Sequence, residues 1–174
     1  MRIPSAIITG MALAVVLSSC GSGGDSDSPV GPNRPPPKVA SLGPFVGECG
    51  HVTDDEVRRL AGLTEISRVY KNATGCNWES GGLFAPSVTF ASYRGSPIDR
   101  ERAWVSSVGR NPEPIDVGGR PGFRALDPEG ICDFAVQLDD DFFEWSISDG
   151  GFATALDQCD RARKLAELTL GRLR

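Results

Sequence analysis

The cysteines limit what this chain can fold into more than any other feature. There are five in 174 residues, at positions 20, 49, 76, 132 and 159. The first closes an apolar run, Ile7 to Leu17, followed by the small residues Ser18 and Ser19. Arg2 and the amino terminus give that run a positive start, and it is too short to span a bilayer comfortably. Residues 1–19 therefore read as a secretory signal peptide. Export places the remainder in an oxidising compartment, where an even number of cysteines reads as disulfides. Setting Cys20 aside leaves Cys49, Cys76, Cys132 and Cys159, which calls for two bridges.

The segment Leu17-Ser18-Ser19-Cys20 resembles the bacterial lipobox, in which the cysteine thiol is acylated and the chain is cut just before it. Cys20 is the expected lipidation site. Each acyl chain contributes about 0.8 kcal/mol per buried methylene, and stable anchoring takes more than one chain. The expected location is the cell membrane, lipid-anchored, on its extracytoplasmic face. The net charge of −5 becomes more negative when Arg2 leaves with the signal. An acidic domain has no electrostatic reason to bind nucleic acid or anionic headgroups.

Residues 20–43 are the expected lipidated cysteine and disordered tether. Their first part is rich in Gly, Ser and Asp, and their second holds Pro32 and Pro35 to Pro37. Such a segment cannot bury enough apolar surface to fold, and as a coil it spans roughly 25–30 Å. Residues 44–174 are of a size for one extracytoplasmic domain.

Four cysteines allow three pairings, and local pattern selects one. In Ile131 to Leu138, alternation puts Cys132, Phe134, Val136 and Leu138 on one strand face. In the last helix Ala155, Cys159, Ala162, Ala166, Leu170 and Leu173 share one stripe. Both cysteines then point into one helix–sheet interface, where small alanines permit close approach. The expected bridges are Cys132–Cys159 and, by remainder, Cys49–Cys76, with a loop-entropy contribution of ~3–4 kcal/mol each. A metal site at these cysteines is disfavoured by the lack of a C-x-x-C pair.

The expected first helix starts at Thr53, with Glu56 closing a capping box, and stops at Gly62. Strands are expected from Cys76 and over Pro86 to Tyr93. A second helix is expected with Ser96 as cap and Pro97 in the first turn, ending at Gly109. Short strands at Ile115 to Val117 and Gly122 to Leu126 flank a glycine turn. Ile131 to Leu138 and Phe142 to Ser148 read as a hairpin around Asp139-Asp140-Asp141, before a helix from about Ala153 to Leu173. The fold class is α+β: a mostly antiparallel sheet packed by two or three helices, with two disulfides.

Cys49 ahead of Thr53-Asp54-Asp55-Glu56, the triplet Cys76-Asn77-Trp78, the strand bearing Cys132, and Cys159-Asp160-Arg161-Ala162 together carry a likeness. On these residues the chain resembles the Lpr-type exported lipoproteins of actinobacteria, whose shared domain has no assigned function. The resemblance implies a lipid-anchored domain at the cell envelope. It also implies likeness to the Mog1/PsbP α/β/α sandwich and to sensor domains of mycobacterial receptor kinases, a fold analogy that does not carry function. It supplies no catalytic residues.

Candidate chemistry is sparse. His51 is the only histidine, and no G-x-S-x-G elbow accompanies it; it reads as a loop residue before a helix. Asp139-Asp140-Asp141 lacks the spacing of a calcium loop and reads as a solvated turn. Glu48, Asp54, Asp55 and Glu56 fit the charge preference of a helix N-terminus. Gly118-Gly119-Arg120-Pro121-Gly122 matches no phosphate motif. Asn72-Ala73-Thr74 matches a glycosylation sequon that has no meaning in a bacterium. Of Trp78, Trp104 and Trp145, most are expected in the core, though some could line an apolar cleft for a lipid, glycan or peptide.

The leading expectation is a non-enzymatic binding or protein-interaction module, with no metal and no cofactor. The alternative is a carrier or accessory protein for an apolar envelope lipid or glycolipid. A weaker one is a hydrolase with an unrecognised site. Acylation needs the Cys20 thiol, and cleavage follows acylation. Cys20→Ala should therefore lose a metabolically incorporated fatty-acid label and remain uncut; a mutant that keeps the label defeats the lipobox reading.

Overall fold

The structure, a computed structural model, describes residues 39–151 and 157–173. The expected signal peptide, Cys20 and most of the tether lie outside the described residues, as does Ala155. The strands are β1 (Arg68–Lys71), β2 (Gly75–Glu79), β3 (Ser87–Tyr93), β4 (Glu113–Val117), β5 (Arg120–Leu126), β6 (Ile131–Leu138) and β7 (Asp141–Ser148). The helices are α1 (Asp54–Leu60), α2 (Ile98–Ser107) and α3 (Gln158–Arg172). They form the expected α+β architecture around one seven-stranded antiparallel sheet, in the order β1-β2-β3-β7-β6-β5-β4.

The sheet is two meanders joined along one seam. β1 to β3 form the first, β4 to β7 the second, and β3 pairs with β7 between them. α2 carries the chain from the seam to the far edge strand, β4. That crossover places α2 on one face, while α1, α3 and a short turn at Glu48–His51 cover the other.

Local chemistry sets most element ends. Thr53 caps α1 as expected: Glu56 N–H donates to Thr53 Oγ1 at 3.4 Å, and Thr53 N–H donates to Glu56 Oε2 at 3.0 Å. α2 differs from the expectation. Pro97, not Ser96, is the N-cap residue, and no side chain caps it. Proline has no N–H to satisfy there, and its restricted φ suits the entry to a helix. α3 begins at Gln158, where Asp157 caps it by accepting from the Asp160 N–H at 3.0 Å. β1 was not expected at all. It is a short, mostly exposed edge strand whose residues show no apolar alternation.

The Asp139-Asp140-Asp141 expectation needs a correction. The turn itself is exposed at Asp139, which has φ 57. Asp141 is instead the first residue of β7 and is buried. Its carboxylate accepts from Gly95 N–H at 2.6 Å, from Gly43 N–H at 3.0 Å, and pairs with Arg94 at 2.9 Å. Ser41 N–H donates to Asp140 Oδ2 at 2.6 Å, so contacts with the fold begin inside the stretch expected as tether.

The larger core lies between the sheet and the α1/α3 layer. Trp78 and Trp145 stack there with ring centroids 5.7 Å apart, and Phe90, Phe134 and Phe143 surround them. Each buried indole N–H finds an acceptor: Trp145 donates to Thr169 Oγ1 at 3.1 Å and Trp78 to Asp54 Oδ1 at 2.8 Å. Gly50, with φ 67, lets the Glu48–His51 turn press on this cluster; a Cβ would lie 2.7 Å from Thr169 Oγ1 and 2.9 Å from Phe90. The second face has a smaller core of Ile98, Val105, Phe123, Ala125, Ala135 and Phe142 under α2.

Both expected disulfides form. Cys49–Cys76 has a Cα separation of 5.4 Å and Cys132–Cys159 one of 5.3 Å. The first ties the turn to β2, the second ties α3 to β6. Cys159, Ala162 and Ala166 are buried as expected, while Leu170 and Leu173 are only half-buried. Leu165, Thr169 and Arg161 share the buried face. Arg161 reaches Asp149 at 2.5 Å and donates to the Ala61 carbonyl at 2.6 Å.

These contacts rank the residues of α3. Arg161→Ala breaks the buried ion pair with Asp149 and should cost ~3–5 kcal/mol. Cys159→Ser should cost ~2–5 kcal/mol. Lys164→Ala, on the exposed side, should stay within about 0.5 kcal/mol. Urea melts of the three variants check the order, and a Lys164 variant weaker than the other two would mean the helix is rotated.

Candidate functional site

The two sheet faces are unequally covered. On the second face, β7 presents Phe142, Glu144 and Ser146, the alternates of the core residues Phe143, Trp145 and Ile147. Register sets what flanks Glu144. It pairs with Ala91 of β3 on one side and Ala135 of β6 on the other, and Gly75 lies beyond Ala91. This row of small residues leaves a hollow over the carboxyl that α2 does not fill.

The result is an open cleft of about 460 Å³. β3 supplies Tyr93 to its lining, β6 Asp133 and β7 Glu144. α2 forms a wall with Arg100, Glu101 and Trp104, and Arg110 follows from the loop after it. Trp104 is 53% exposed. A second cleft of about 540 Å³ shares Tyr93, Arg100 and Glu101 and runs on past Ala91 to Phe45. The two together make a groove along the α2 side of the sheet.

Its electrostatics are unusual. Burial, with the nearby carboxylates of Asp133 and Glu101, pushes Glu144 up to about 8 against the partial relief of Arg110. One of its oxygens, Oε2, is buried with no hydrogen-bond partner. Glu101 is also raised, first by burial and then by Asp133. Tyr93 is pushed up to about 12 by burial and by the same three carboxyl groups; its ring stacks on Phe142 at 4.3 Å. Arg110 does not neutralise the floor, because it is shared by Asp127 at 3.2 Å and by Asp133. The other Asp133 oxygen accepts from Ser146 Oγ at 2.8 Å.

Apart from Trp104, the residues singled out in the sequence are placed elsewhere. His51 is exposed in the turn of the first face and has φ 58. Arg172 donates to its carbonyl oxygen. Asp54 and Glu56 do more than favour a helix N-terminus. Asp54 is held below the usual carboxylate range by the Trp78 N–H and by Lys71, while the Arg172 guanidinium and the Thr53 N–H hold Glu56 down to about 2. Asn72 closes the β1–β2 turn, accepting from Thr74 N–H and Gly75 N–H at 2.9 Å. Gly118 and Gly119, with φ 62 and 80, make the tight turn between β4 and β5, and Gly119 N–H donates to Asp116. The tryptophans divide: Trp78 and Trp145 are core, Trp104 borders the cleft. Among the described residues, no group of three or more His, Cys, Asp or Glu could hold a metal ion. No helix among them is long and apolar enough to cross a membrane.

The fold and cleft thus define a disulfide-stapled α+β domain with an open, carboxyl-floored groove. The family model described as "Protein of unknown function (DUF3558)" matches residues 15–172. The chain belongs to that family. A relative in Mycobacterium tuberculosis H37Rv named "Putative lipoprotein LprB" is 33% identical over 176 residues, covering 97% of this chain and 95% of its own. Relatives of the same name occur in Mycobacterium bovis, 34% identical over 84% of this chain and 83% of theirs, and in Mycobacterium leprae, 32% identical over 79% and 77%. No solved structure matches, so the expected likeness to the Mog1/PsbP sandwich gains nothing from that comparison.

Glu144 sets a pH signature. An unfolded chain gives up this proton near 4.5, whereas the folded chain keeps it to about 8. Between those values the native state holds the extra proton, so the contribution of Glu144 to stability falls with rising pH by about 1 kcal/mol per unit and is level above. Glu144→Gln removes that fall. The stability of the variant relative to the native chain should climb from pH 5 to pH 8 in denaturant titrations, and a constant difference would show that Glu144 ionises normally.

Proposed function

We propose that the chain is a lipid-anchored envelope lipoprotein whose extracytoplasmic domain is a non-enzymatic binding module, with the α2-side groove as its binding surface. The Cys20 motif and the name of its mycobacterial relatives support the anchor. In this reading residues 1–19 are the signal, 20–43 the tether and 44–174 the domain, on the outer face of the cell membrane.

The observation that carries the binding role is the Glu144 carboxyl, which lines an open cleft and has one oxygen buried without a hydrogen-bond partner among the described residues. A buried polar atom without a partner costs about 1–3 kcal/mol, a cost relieved when a ligand supplies the missing bond. The mixed polar lining and wide mouth fit a ligand taken up from solution better than an acyl chain enclosed whole, which disfavours the lipid-carrier alternative.

A hydrolase has one observation in its favour: a carboxyl kept protonated near neutral pH beside a second carboxyl is the kind of pair that acid–base catalysis uses. Both oxygens of Asp133 are already engaged, however, one by Arg110 and one by Ser146. The ion pair and the hydroxyl bond fix Asp133 in a structural role, so binding is the stronger reading.

Native mass spectrometry of the full chain, purified from its own host, tests the proposal. The wild type should carry a small-molecule adduct beyond the acyl anchor. Ala91→Phe, which fills the hollow beside Glu144, should lose it while melting at a similar temperature. A wild type without adduct, or an adduct retained by Ala91→Phe, overturns the assignment of the groove.

A further inference from the structure

The binding reading leaves open what the groove selects, and the arrangement of charge on its floor narrows the answer. Glu101 approaches from α2, Asp133 from β6 and Glu144 from β7. The cations facing them are Arg100 and Arg110. Arg110 is committed to two carboxylates, Asp127 and Asp133. Arg100 lies on α2, with its residue exposed to solvent. One Glu144 oxygen, Oε2, is buried and has no hydrogen-bond partner among the described residues. An anionic ligand would meet carboxyl groups at the bottom of the cleft, and a neutral hydroxyl would answer only one of them. A positively charged N–H donor answers both the missing hydrogen bond and the surplus of acid. The exposed indole of Trp104 borders the same cleft, and indole faces attract cations.

We propose that this cleft binds its ligand through an ammonium group seated against the Glu144 carboxyl and beside Trp104. The proposal rests on the groove being a binding site and adds the chemical class it takes. Entry of the cation is balanced by loss of the Glu144 proton to solvent, so the charge of the filled site equals that of the empty one. The raised titration of Glu144 agrees with this exchange: the groove holds a proton where the ligand will place its own positive charge. Linkage requires that the cation tighten its hold as pH rises, and that its presence lower the titration midpoint of Glu144 by a matching amount.

The test uses three probes of one length and three charges: n-butylammonium, 1-butanol and butyrate. Each is titrated into the full chain in a non-ionic detergent and followed by amide chemical shifts. n-Butylammonium should move resonances of Ala91, Tyr93, Asp133 and Glu144, with a dissociation constant at least tenfold below those of the other two. Glu144→Gln should weaken it at least tenfold, while Glu167→Gln, on α3 beyond the opposite face, should leave it unchanged. Affinity at pH 9 should exceed affinity at pH 6 by the factor given by the midpoint shift of the Glu144 side-chain carboxyl signal. Equal or tighter binding of 1-butanol or butyrate in the cleft overturns the choice of ligand class yet leaves a binding groove. Preference for the cation that survives Glu144→Gln overturns the role of Glu144. No shift with any probe overturns the ammonium proposal, whereas the binding module itself stands or falls on the native-mass adduct and its loss in Ala91→Phe.

Discussion

Strand β7 sets both the core and the cleft, and it does so through a single register. Phe143, Trp145 and Ile147 point to the larger core, and Phe142, Glu144 and Ser146 to the opposite face. A slip of one residue would exchange the two sets. Three contacts oppose that slip: Trp145 stacks on Trp78, lies 5.0 Å from the Phe90 ring, and donates to Thr169 on α3. Because β7 pairs with β3 on one side and β6 on the other, it is also the seam where the two meanders meet. The protein cannot bring Glu144 to solvent by sliding β7 without dismantling its best-packed region. The core therefore holds the carboxyl in a place that local solvation opposes.

The covalent staples reinforce one face only. Cys49–Cys76 and Cys132–Cys159 both tie the α1/α3 layer to the sheet. The first of them secures a turn in which Cys49, Gly50 and His51 all have positive φ. A left-handed conformation costs roughly 1–2 kcal/mol at a non-glycine residue, and the Arg172 bond to the His51 carbonyl helps to hold it. α2 has no such staple. Its attachment is the burial of Ile98 and Val105, aided by Arg102, which lies over the Phe123 ring and reaches the Gly122 carbonyl at 3.4 Å. Regions with few buried contacts open at lower free energy than the rest of a fold. The wall of the cleft is thus the element a ligand can adjust at least cost, while the floor is fixed from behind.

The parts legible in the sequence were those whose cause is local. The alternation of β6 and β7, the capping box at Thr53 and Glu56, and the shared interface of Cys132 and Cys159 all follow from periods within one segment. The same period, read along Phe142 to Ser148, puts Glu144 on one face with Phe142. What alternation could not supply was its neighbours across the sheet. That Ala91 and Ala135 flank it depends on β7 lying between β3 and β6, and on α2 crossing to the far edge. The ion pairs were hidden for the same reason. Arg161 finds Asp149, Arg172 finds Glu56 and Arg110 finds Asp133 only after the chain has folded back. The α3 start was overrun because a stripe of alanines spoke louder than one capping aspartate, Asp157. β1 had no signal to read, since an exposed edge strand buries too little to impose a period.

Coverage explains why the site is where it is. Seven strands at about 4.8 Å spacing make a sheet roughly 30 Å wide, and one helix is only about 10 Å across. On the first face, α3, α1 and the stapled turn share that width. On the second, α2 stands alone and packs on β5 and β6. No helix among the described residues packs on the strip formed by β2, β3 and β7 on that face. Much of it meets water as such a strip must, with hydroxyl and amide side chains that satisfy one another, as Asn77 does by donating to Thr89 at 2.9 Å. Glu144 breaks that pattern. It sits where the uncovered strip meets the edge of α2, close enough to the helix to lose water and without a donor among the described residues for one of its oxygens. A serine or threonine there would have continued the solvated row, and a valine would have extended the core. A carboxyl does neither, and the small residues on both sides of it keep the space above it open. The geometry makes sense when the missing partner comes from outside the chain.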